Sequence, residues 1–229
     1  MDSNLPRAHS LGYSIGVHKF DLGLSLAPMA GNTNLAYRAL CRKFGAELTT
    51  TDMVSSMALR HNDTKSLGYL AKASNETPVA AQIFGADPET LAIAVGSVQE
   101  RGFDIVDLNV GCPVPKITGG GGGSALLLEP QLAFDCVSAM IEAATVPVTV
   151  KIRAGWHDND KNAPAFSELM EKAGAAAITV HGRTREQKYT GRSDLALIKL
   201  VAQAVDIPVI GNGDVIDIES AQAMADTGV

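Results

Sequence analysis

The chain has few cysteines, no long apolar run and little positive charge, and each shortage excludes a class of protein. Three cysteines in 229 residues, an odd number, argue against a disulfide framework and for a reducing compartment, the cytoplasm. The sequence contains no run of eighteen apolar residues, the length that predicts a membrane-spanning helix. The first twenty residues lack a basic start followed by an apolar core, so we expect no secretory signal peptide and no membrane partner.

Acidic residues outnumber lysine and arginine, which gives the chain a net charge of −6. Affinity for nucleic acid normally depends on Lys and Arg side chains that neutralise phosphates, so an RNA-binding protein of this charge must concentrate them locally. Arg183, Arg185, Lys188 and Arg192 form such a cluster, which is either an RNA contact or an ordinary solvated loop. The five histidines are not spaced as metal ligands with cysteine or carboxylate partners, so we predict no metal site.

Short apolar runs alternate with amphipathic stretches along the whole chain, which predicts a parallel sheet covered by helices. The length suffices for one large domain. We predict seven strands, near Leu24–Ala27, Leu48–Thr51, Val79–Ile83, Asp104–Asn109, Val148–Ile152, Ala177–His181 and Val209–Gly211. We predict six helices between and after them, at Leu35–Phe44, Pro88–Arg101, Pro130–Ala144, Ala163–Ala173, Asp194–Ala204 and Ile218–Thr227.

This rhythm favours a (β/α)₈ barrel over an open doubly wound sheet. A G-x-G-x-x-G segment, typical of the open fold, does not follow the first strand. Polar or special residues instead follow strand after strand, as a barrel mouth requires. They are Met29, Gln82, Cys112, Lys151, His181 and Asn212.

An eighth strand would begin only at residues 226–229, so we expect an incomplete barrel and a piece of a longer protein. The expected division is an N-terminal extension at residues 1–23 and a barrel domain at residues 24–229. The extension either pairs as a small lid below the barrel or stays loose.

Residues 106–124 combine a buried strand, a stiff corner and a glycine run. Gly111 allows a sharp turn and Pro113 fixes φ, so Cys112 lies on a rigid corner at the carboxyl end of a strand. The alternative is a small apolar residue packed at a strand end. The glycines at 119–123 are costly to order, which predicts a loop that is mobile when empty and closes on a substrate.

The corner Asn109-x-Gly111-Cys112-Pro113, followed by Gly123-Ser124, closely resembles the signature of the tRNA-dihydrouridine synthases. Five further blocks occur in the family's order and extend the resemblance over roughly residues 24–229. They are Leu26–Ala30, Ala81–Gly85, Val150–Arg153, His181–Arg185 and Gly211–Asp214.

The resemblance implies an FMN-dependent barrel that reduces uridines in tRNA to 5,6-dihydrouridine, with NADPH or NADH as reductant. The family also carries a C-terminal helical domain that grips tRNA, which these residues could not form. Cys112 would donate a proton to C5 of uracil after hydride reaches C6, and a free thiol is mostly protonated at neutral pH. Asn109 and Arg153 would read the base, which must be flipped out of folded RNA. No obligate protein partner is expected.

The remaining candidates would bind the flavin. Lys151 would place a cation at the N1/O2 edge of the reduced ring, although on the residues alone a Schiff-base lysine fits equally well. Gln82 would offer a donor and an acceptor to a ring edge. His181 would contact the flavin phosphate or the substrate, unless it is a core histidine. Two segments would supply further contacts, Pro28, Met29 and Ala30 at the ring and Asn212, Gly213 and Asp214 at the phosphate.

The phosphate contact depends on the turn at Gly211–Asp214, which precedes a helix. Backbone N–H groups in such a turn, aimed by the helix N-terminus, form an anion-binding nest. An ordinary tight turn is the alternative.

Three other functions remain open from the sequence. A flavin barrel acting on a free pyrimidine, similar to dihydroorotate dehydrogenase, shares the asparagine and cysteine-proline corner but not the block at His181–Arg185. A non-redox lyase would use Lys151 as a Schiff-base residue. A truncated, non-catalytic chain that binds RNA or nothing is the third.

Overall fold

The alternation of strands and helices produces a parallel sheet whose strands follow one another in chain order. The computed structural model describes residues 12–229. The strands are β1 (Tyr13–Ile15), β2 (His18–Phe20), β3 (Ser25–Leu26), β4 (Leu48–Thr50), β5 (Val54–Ser55), β6 (Val79–Phe84), β7 (Ile105–Val110), β8 (Val148–Arg153), β9 (Ile178–His181) and β10 (Val209–Asn212).

The sheet runs in the order β3-β4-β6-β7-β8-β9-β10, and β5 pairs with β6 beyond the end of β4. Each of these pairings is parallel. Seven successive parallel strands with helical connections form an incomplete (β/α)₈ barrel, as predicted. The seven predicted strands are all present, with ends that differ by a few residues.

Helices cover the outside of the sheet. They are α1 (Leu35–Lys43), α2 (Ser56–Arg60), α3 (Thr64–Gly68), α4 (Pro88–Gln99), α5 (Pro115–Thr118), α6 (Pro130–Ala143), α7 (Ala163–Lys172), α8 (Leu195–Ala204) and α9 (Ile218–Ala225), with a 3₁₀ turn at Gly123–Leu128. The six predicted helices are confirmed, and α2, α3, α5 and the 3₁₀ turn are additional. In residues 12–229 no helix has both the length and the apolar character needed to cross a lipid bilayer.

Alternation along each strand separates an outer apolar layer from the barrel interior. On β7, Val106, Leu108 and Val110 are fully buried in the apolar layer shared with the helices. The residues between them, Asp107 and Asn109, are polar. The sheet therefore has an apolar outer face and, toward the carboxyl ends of its strands, a polar inner face.

A hairpin of β1 and β2 closes the opposite, amino-terminal end of the barrel. Ile15 and Phe20 are almost completely buried and pack with residues such as Leu48 and Ile105 from the bottom of the barrel strands. Burying each of these two side chains contributes about 1.5–3 kcal/mol. Residues 13–20 therefore form a paired hairpin rather than a loose segment. Residues 1–11 of the predicted extension lie outside the described residues.

Candidate active site

The carboxyl ends of the barrel strands surround a cavity of about 580 Å³. This volume is within the usual range for sites that bind small molecules. All twelve residues predicted as site residues line this cavity, although their sequence positions span nearly two hundred residues. They are Pro28, Met29, Ala30, Gln82, Asn109, Cys112, Lys151, Arg153, His181, Asn212, Gly213 and Asp214.

Hydrogen bonds on both sides hold the Cys112 corner. The Asn109 Oδ1 atom accepts hydrogen bonds from the N–H groups of Gly111 (3.1 Å) and Cys112 (2.9 Å). The Cys112 carbonyl accepts from the Ser124 hydroxyl (2.9 Å) and the Ser124 N–H (3.1 Å). Cys112 is a free thiol with 8% of its surface exposed, so the corner presents it at the cavity wall in a fixed position.

The other two cysteines lie on helices away from the cavity. Cys136 on α6 is completely buried, and this burial raises the pKa of its thiol to about 12, so it is a packed core residue. Cys41 on α1 is only half-buried. Cys112 is therefore the free cysteine that lines the cavity among the described residues.

The glycine run is more tightly packed than the prediction of a mobile loop suggests. Its first half continues helix α5 in hydrogen-bonded turns, and Gly122 and Gly123 are buried. Gly123 has φ +58°, and a Cβ atom there would lie 2.8 Å from the Cys112 carbonyl oxygen and 3.1 Å from the Cys112 Cβ. The end of the run thus forms the support behind Cys112, and only glycine fits there.

We expect Gly123→Ala to destabilise the protein by roughly 2 kcal/mol, because it adds both left-handed strain and a clash with Cys112. Gly120→Ala is the matched control, since a Cβ there meets nothing nearer than 3.7 Å. Urea unfolding of the two variants measures the difference. Equal unfolding free energies would show that the run adapts freely and does not support Cys112.

Four buried polar side chains form a continuous network inside the barrel. The Thr149 hydroxyl donates to Asp107 Oδ1 (2.7 Å), and Gln82 Nε2 donates to Asp107 Oδ2 (2.7 Å). Asn109 Nδ2 in turn donates to Gln82 Oε1 (2.8 Å). Both ends of the Gln82 amide are therefore engaged within the protein, which leaves one N–H and one lone pair for a ligand.

Lys151 supplies the amine of this cavity. Its Nζ atom donates to Asn212 Oδ1 at 2.9 Å, and part of its side chain faces the cavity while the amine is surrounded by protein. This burial lowers the pKa of Lys151 to about 8, with a smaller contribution from Arg153 and an opposing one from Asp107. The amine is therefore mostly charged at pH 7 and loses its charge as the pH rises above 8.

His181 is held in its neutral form. Burial, and then the neighbouring cations Lys151, Arg153 and Arg183, lower its pKa to about 3. Its Nε2 atom lies 3.4 Å from Nη1 of Arg183, which is an ion-pair partner of Asp214. His181 can therefore offer a hydrogen bond to a ligand but no positive charge at neutral pH.

The two buried arginines of the site bind backbone and carboxylate groups. Arg153 donates to the carbonyl of Gly111 (2.7 Å) and to those of Thr184 (2.9 Å) and Lys188 (2.8 Å), which ties the cysteine corner to the loop after β9. Arg183 Nη2 donates to both carboxylate oxygens of Asp214, at 2.7 and 2.8 Å. Much of the donor capacity of Arg153 is thus used in fixing the corner.

The basic cluster predicted from the sequence divides into two groups. Arg183 is buried in the site, and Arg185 is half-buried, with its guanidinium carbon 4.5 Å from the ring centre of Trp156. Lys188 and Arg192 are exposed. Arg183, expected as an RNA contact or a solvated loop residue, lies in the cavity wall, and Asp107 on β7, two positions before Asn109, is a buried charged residue that the sequence analysis did not single out.

The turn after β10 differs from the predicted phosphate nest in one respect. Gly213 and Asp214 have φ values of +113° and +58°, so the backbone turns sharply along the cavity. Helix α9, however, begins only at Ile218, and the side chain of its N-cap, Asp217, accepts the Ser220 N–H. The sequence suggested that this helix N-terminus would aim the turn at an anion. The N-terminus is instead capped by the carboxylate of its own N-cap residue.

Within the described part of the chain, no group of three or more His, Cys, Asp or Glu residues is arranged to hold a metal ion. Among solved structures, the chain is similar to nitroalkane oxidase from Streptomyces ansochromogenes, with a TM-score of 0.54 and 16% identity. This likeness covers 92% of this chain and 64% of that one and supports the fold alone.

Comparison of sequences identifies the family. The chain is 41% identical over 208 residues to tRNA-dihydrouridine synthase B from Pseudomonas syringae and 42% identical over 209 residues to a probable tRNA-dihydrouridine synthase from Rickettsia conorii. Each alignment covers 91% of this chain, but only 62% and 63% of those relatives, so the chain spans less than two thirds of their length. A family model described as dihydrouridine synthase (Dus) matches residues 25–229. The chain therefore belongs to the dihydrouridine synthase family.

Proposed function

We propose that this chain forms the site at which uridines of tRNA are reduced to 5,6-dihydrouridine, with FMN as cofactor and NADPH or NADH as reductant. The observation that carries the proposal is the position of Cys112, a free thiol on a clamped corner of the same cavity that holds Lys151. The relatives named above are described as tRNA-dihydrouridine synthases, which supports the same reaction.

The cavity residues fit a flavin. The cavity is large enough for a ring system of this size, and Pro28 and Met29 give it an apolar wall. The Lys151 amine is a cation with an incomplete set of partners, which suits the negative charge of a reduced flavin. Gly213 and Asp214 line the cavity with positive φ values, a sharp backbone turn of the kind that would contact the flavin phosphate. When bound, the flavin would supply the hydride that reaches C6 of uracil.

The chain's own residues would complete the reduction at the base. Cys112 would give its proton to C5, so that one hydride and one proton together saturate the C5–C6 bond. Arg153 would orient the base through the Nη2 donors that the corner leaves free, and Asn109 through its second Nδ2–H, which meets only the Met53 sulfur at 3.6 Å. A base that is stacked in folded RNA cannot enter the cavity, so the uridine must be flipped out.

The proposed RNA partner fits the distribution of charge better than the net charge of −6 suggests. Lys188 and Arg192 are exposed on the loop after β9, whose Tyr189 and Arg183 line the cavity. Phosphates that flank a flipped uridine would meet these side chains first.

The proposal is tested by incubating the protein with FMN, NADPH and unmodified tRNA and measuring dihydrouridine by mass spectrometry. We expect dihydrouridine in the tRNA and bound flavin in the protein. Reduction of a free pyrimidine acid in place of tRNA would favour the dihydroorotate dehydrogenase-like alternative. Trapping of a carbonyl substrate on Lys151 by borohydride would favour the lyase, and absence of both flavin and turnover would contradict the proposal.

A further inference from the structure

Asp107 is a buried carboxylate beneath the cavity, hydrogen-bonded to the cavity residue Gln82, and the proposed reaction assigns it no task. It is 5% exposed, lies on β7 two residues before Asn109, and pairs in register with Thr149 of β8. A charged carboxylate is costly to bury unless it is paired and hydrogen-bonded. Its position therefore calls for a physical explanation.

The network above Asp107 has a direction that is fixed at its far end. Asn109 Oδ1 accepts from two backbone N–H groups, which can only donate. The Asn109 Nδ2 group must then face Gln82, so the Gln82 carbonyl oxygen accepts and Gln82 Nε2 points away, toward Asp107. This chain of hydrogen bonds requires an acceptor at its base, and an ionised carboxylate can only accept.

We propose that Asp107 is a positioning residue of this site: its ionised carboxylate is the acceptor that anchors the hydrogen-bond chain through Gln82 and Asn109 that holds Cys112, and its negative charge faces Lys151. The inference rests on the proposed function for its catalytic meaning. The hydrogen bonds and charges that it invokes do not depend on that function.

The charges around Lys151 show why Asp107 matters there. Asn109 of β7 pairs in register with Lys151 of β8, so Asp107 lies diagonally across from the lysine on the same inner face. The other charged group close to Lys151 is Arg153, a cation, and His181 is neutral near pH 7. Burial raises the pKa of Asp107 to about 6, against the opposing effects of Gln82, Thr149 and Lys151, so the carboxylate is mostly ionised at pH 7.

Two substitutions separate the two effects of Asp107. Asp107→Asn keeps an oxygen to accept from Gln82 and offers an NH₂ group to the Thr149 hydroxyl, so it preserves the chain but removes the charge. Asp107→Ala removes both. Thr149→Val is the control, because it deletes a hydrogen bond to the same carboxylate without touching the chain to Cys112.

Both measurements use cofactor-free protein without tRNA. The rate at which iodoacetamide alkylates the Cys112 peptide, followed by mass spectrometry, reports how firmly the corner is held. NMR of ¹³C-labelled lysine, with Lys151 assigned by its loss in Lys151→Met, gives the titration midpoint of that amine. A failure of the proposed reaction would leave both results unaffected, so the two proposals can fail separately.

We expect Asp107→Ala to increase Cys112 alkylation severalfold and Asp107→Asn to leave it at the wild-type rate. We expect Asp107→Asn to lower the Lys151 midpoint by about one pH unit, because the amine loses its counter-charge. Thr149→Val should change neither by much. If Asp107→Ala does not fold, Gln82→Met cuts the same chain one link further on. An unchanged alkylation rate in the folded chain-cutting variant, or an unchanged Lys151 midpoint in Asp107→Asn, would overturn the proposal.

Discussion

Replacing Cys112 by alanine should lower dihydrouridine formation by about 100- to 10,000-fold, the range that a lost general acid or base typically accounts for. The thiol is held at the cavity wall by hydrogen bonds on its own N–H and carbonyl, and both survive the substitution. The corner should therefore keep its shape, so flavin content and folding should change little. Turnover on unmodified tRNA, with flavin absorbance measured on the same preparation, checks this expectation.

The other two cysteines provide matched controls. Cys136→Ala removes a fully buried side chain, and we expect a loss of stability of a few kcal/mol at most with normal turnover per folded molecule. Cys41→Ala should affect stability less, because Cys41 is only half-buried. A wild-type rate in Cys112→Ala would show that the proton comes from another group or from water.

The barrel could be predicted because its determinants are local. A run such as Val79–Phe84 is apolar enough to be buried on both faces, and the glycine that follows a helix, such as Gly102 with φ +71°, marks where the helix ends. Residues near or just beyond the carboxyl ends of strands, such as Lys151 and Cys112, had to meet at one end of the barrel once the strands were parallel. Fold and cavity therefore both follow from strand order.

The contacts within the cavity could not be predicted, because they depend on register and on rotamers. That Asp107 lies between Gln82 and Thr149 requires the pairing of three strands, which the alternation of one strand does not give. The ion pair of Arg183 with Asp214 joins residues from two separate strand ends. The capping of α9 by Asp217 could have been predicted from the Asp-x-x-Ser pattern in the sequence. The prediction of an anion site did not take this pattern into account.

Replacing Lys151 by methionine should remove one of the positive charges of the cavity with little loss of stability. The pKa of Lys151 is lowered from 10.5 to about 8 chiefly by burial, which means that the fold makes the charged amine less favourable. Across pH 8 to 10.5 the unfolded chain binds the extra proton, so in the wild type this group lets stability rise with pH, and the variant lacks that rise. A lysine kept at a cost to folding is better explained by a ligand than by the core.

The charged amine of Lys151, unfavourable for folding, is favourable for a bound reduced flavin. A reduced, anionic flavin gains a charge-assisted hydrogen bond from Lys151, worth roughly 1.5–3 kcal/mol, so its loss should make the two-electron reduction potential about 30–60 mV more negative. In the wild type, retention of the reduced flavin should weaken as the pH rises through about 8, where Lys151 loses its proton, whereas Lys151→Met should show no such step. Lys199→Met, at an exposed position on α8, is the control and should leave potential and pH dependence unchanged. Identical potentials for Lys151→Met and Lys199→Met would exclude a role for Lys151 in stabilising the reduced cofactor, whatever its effect on turnover.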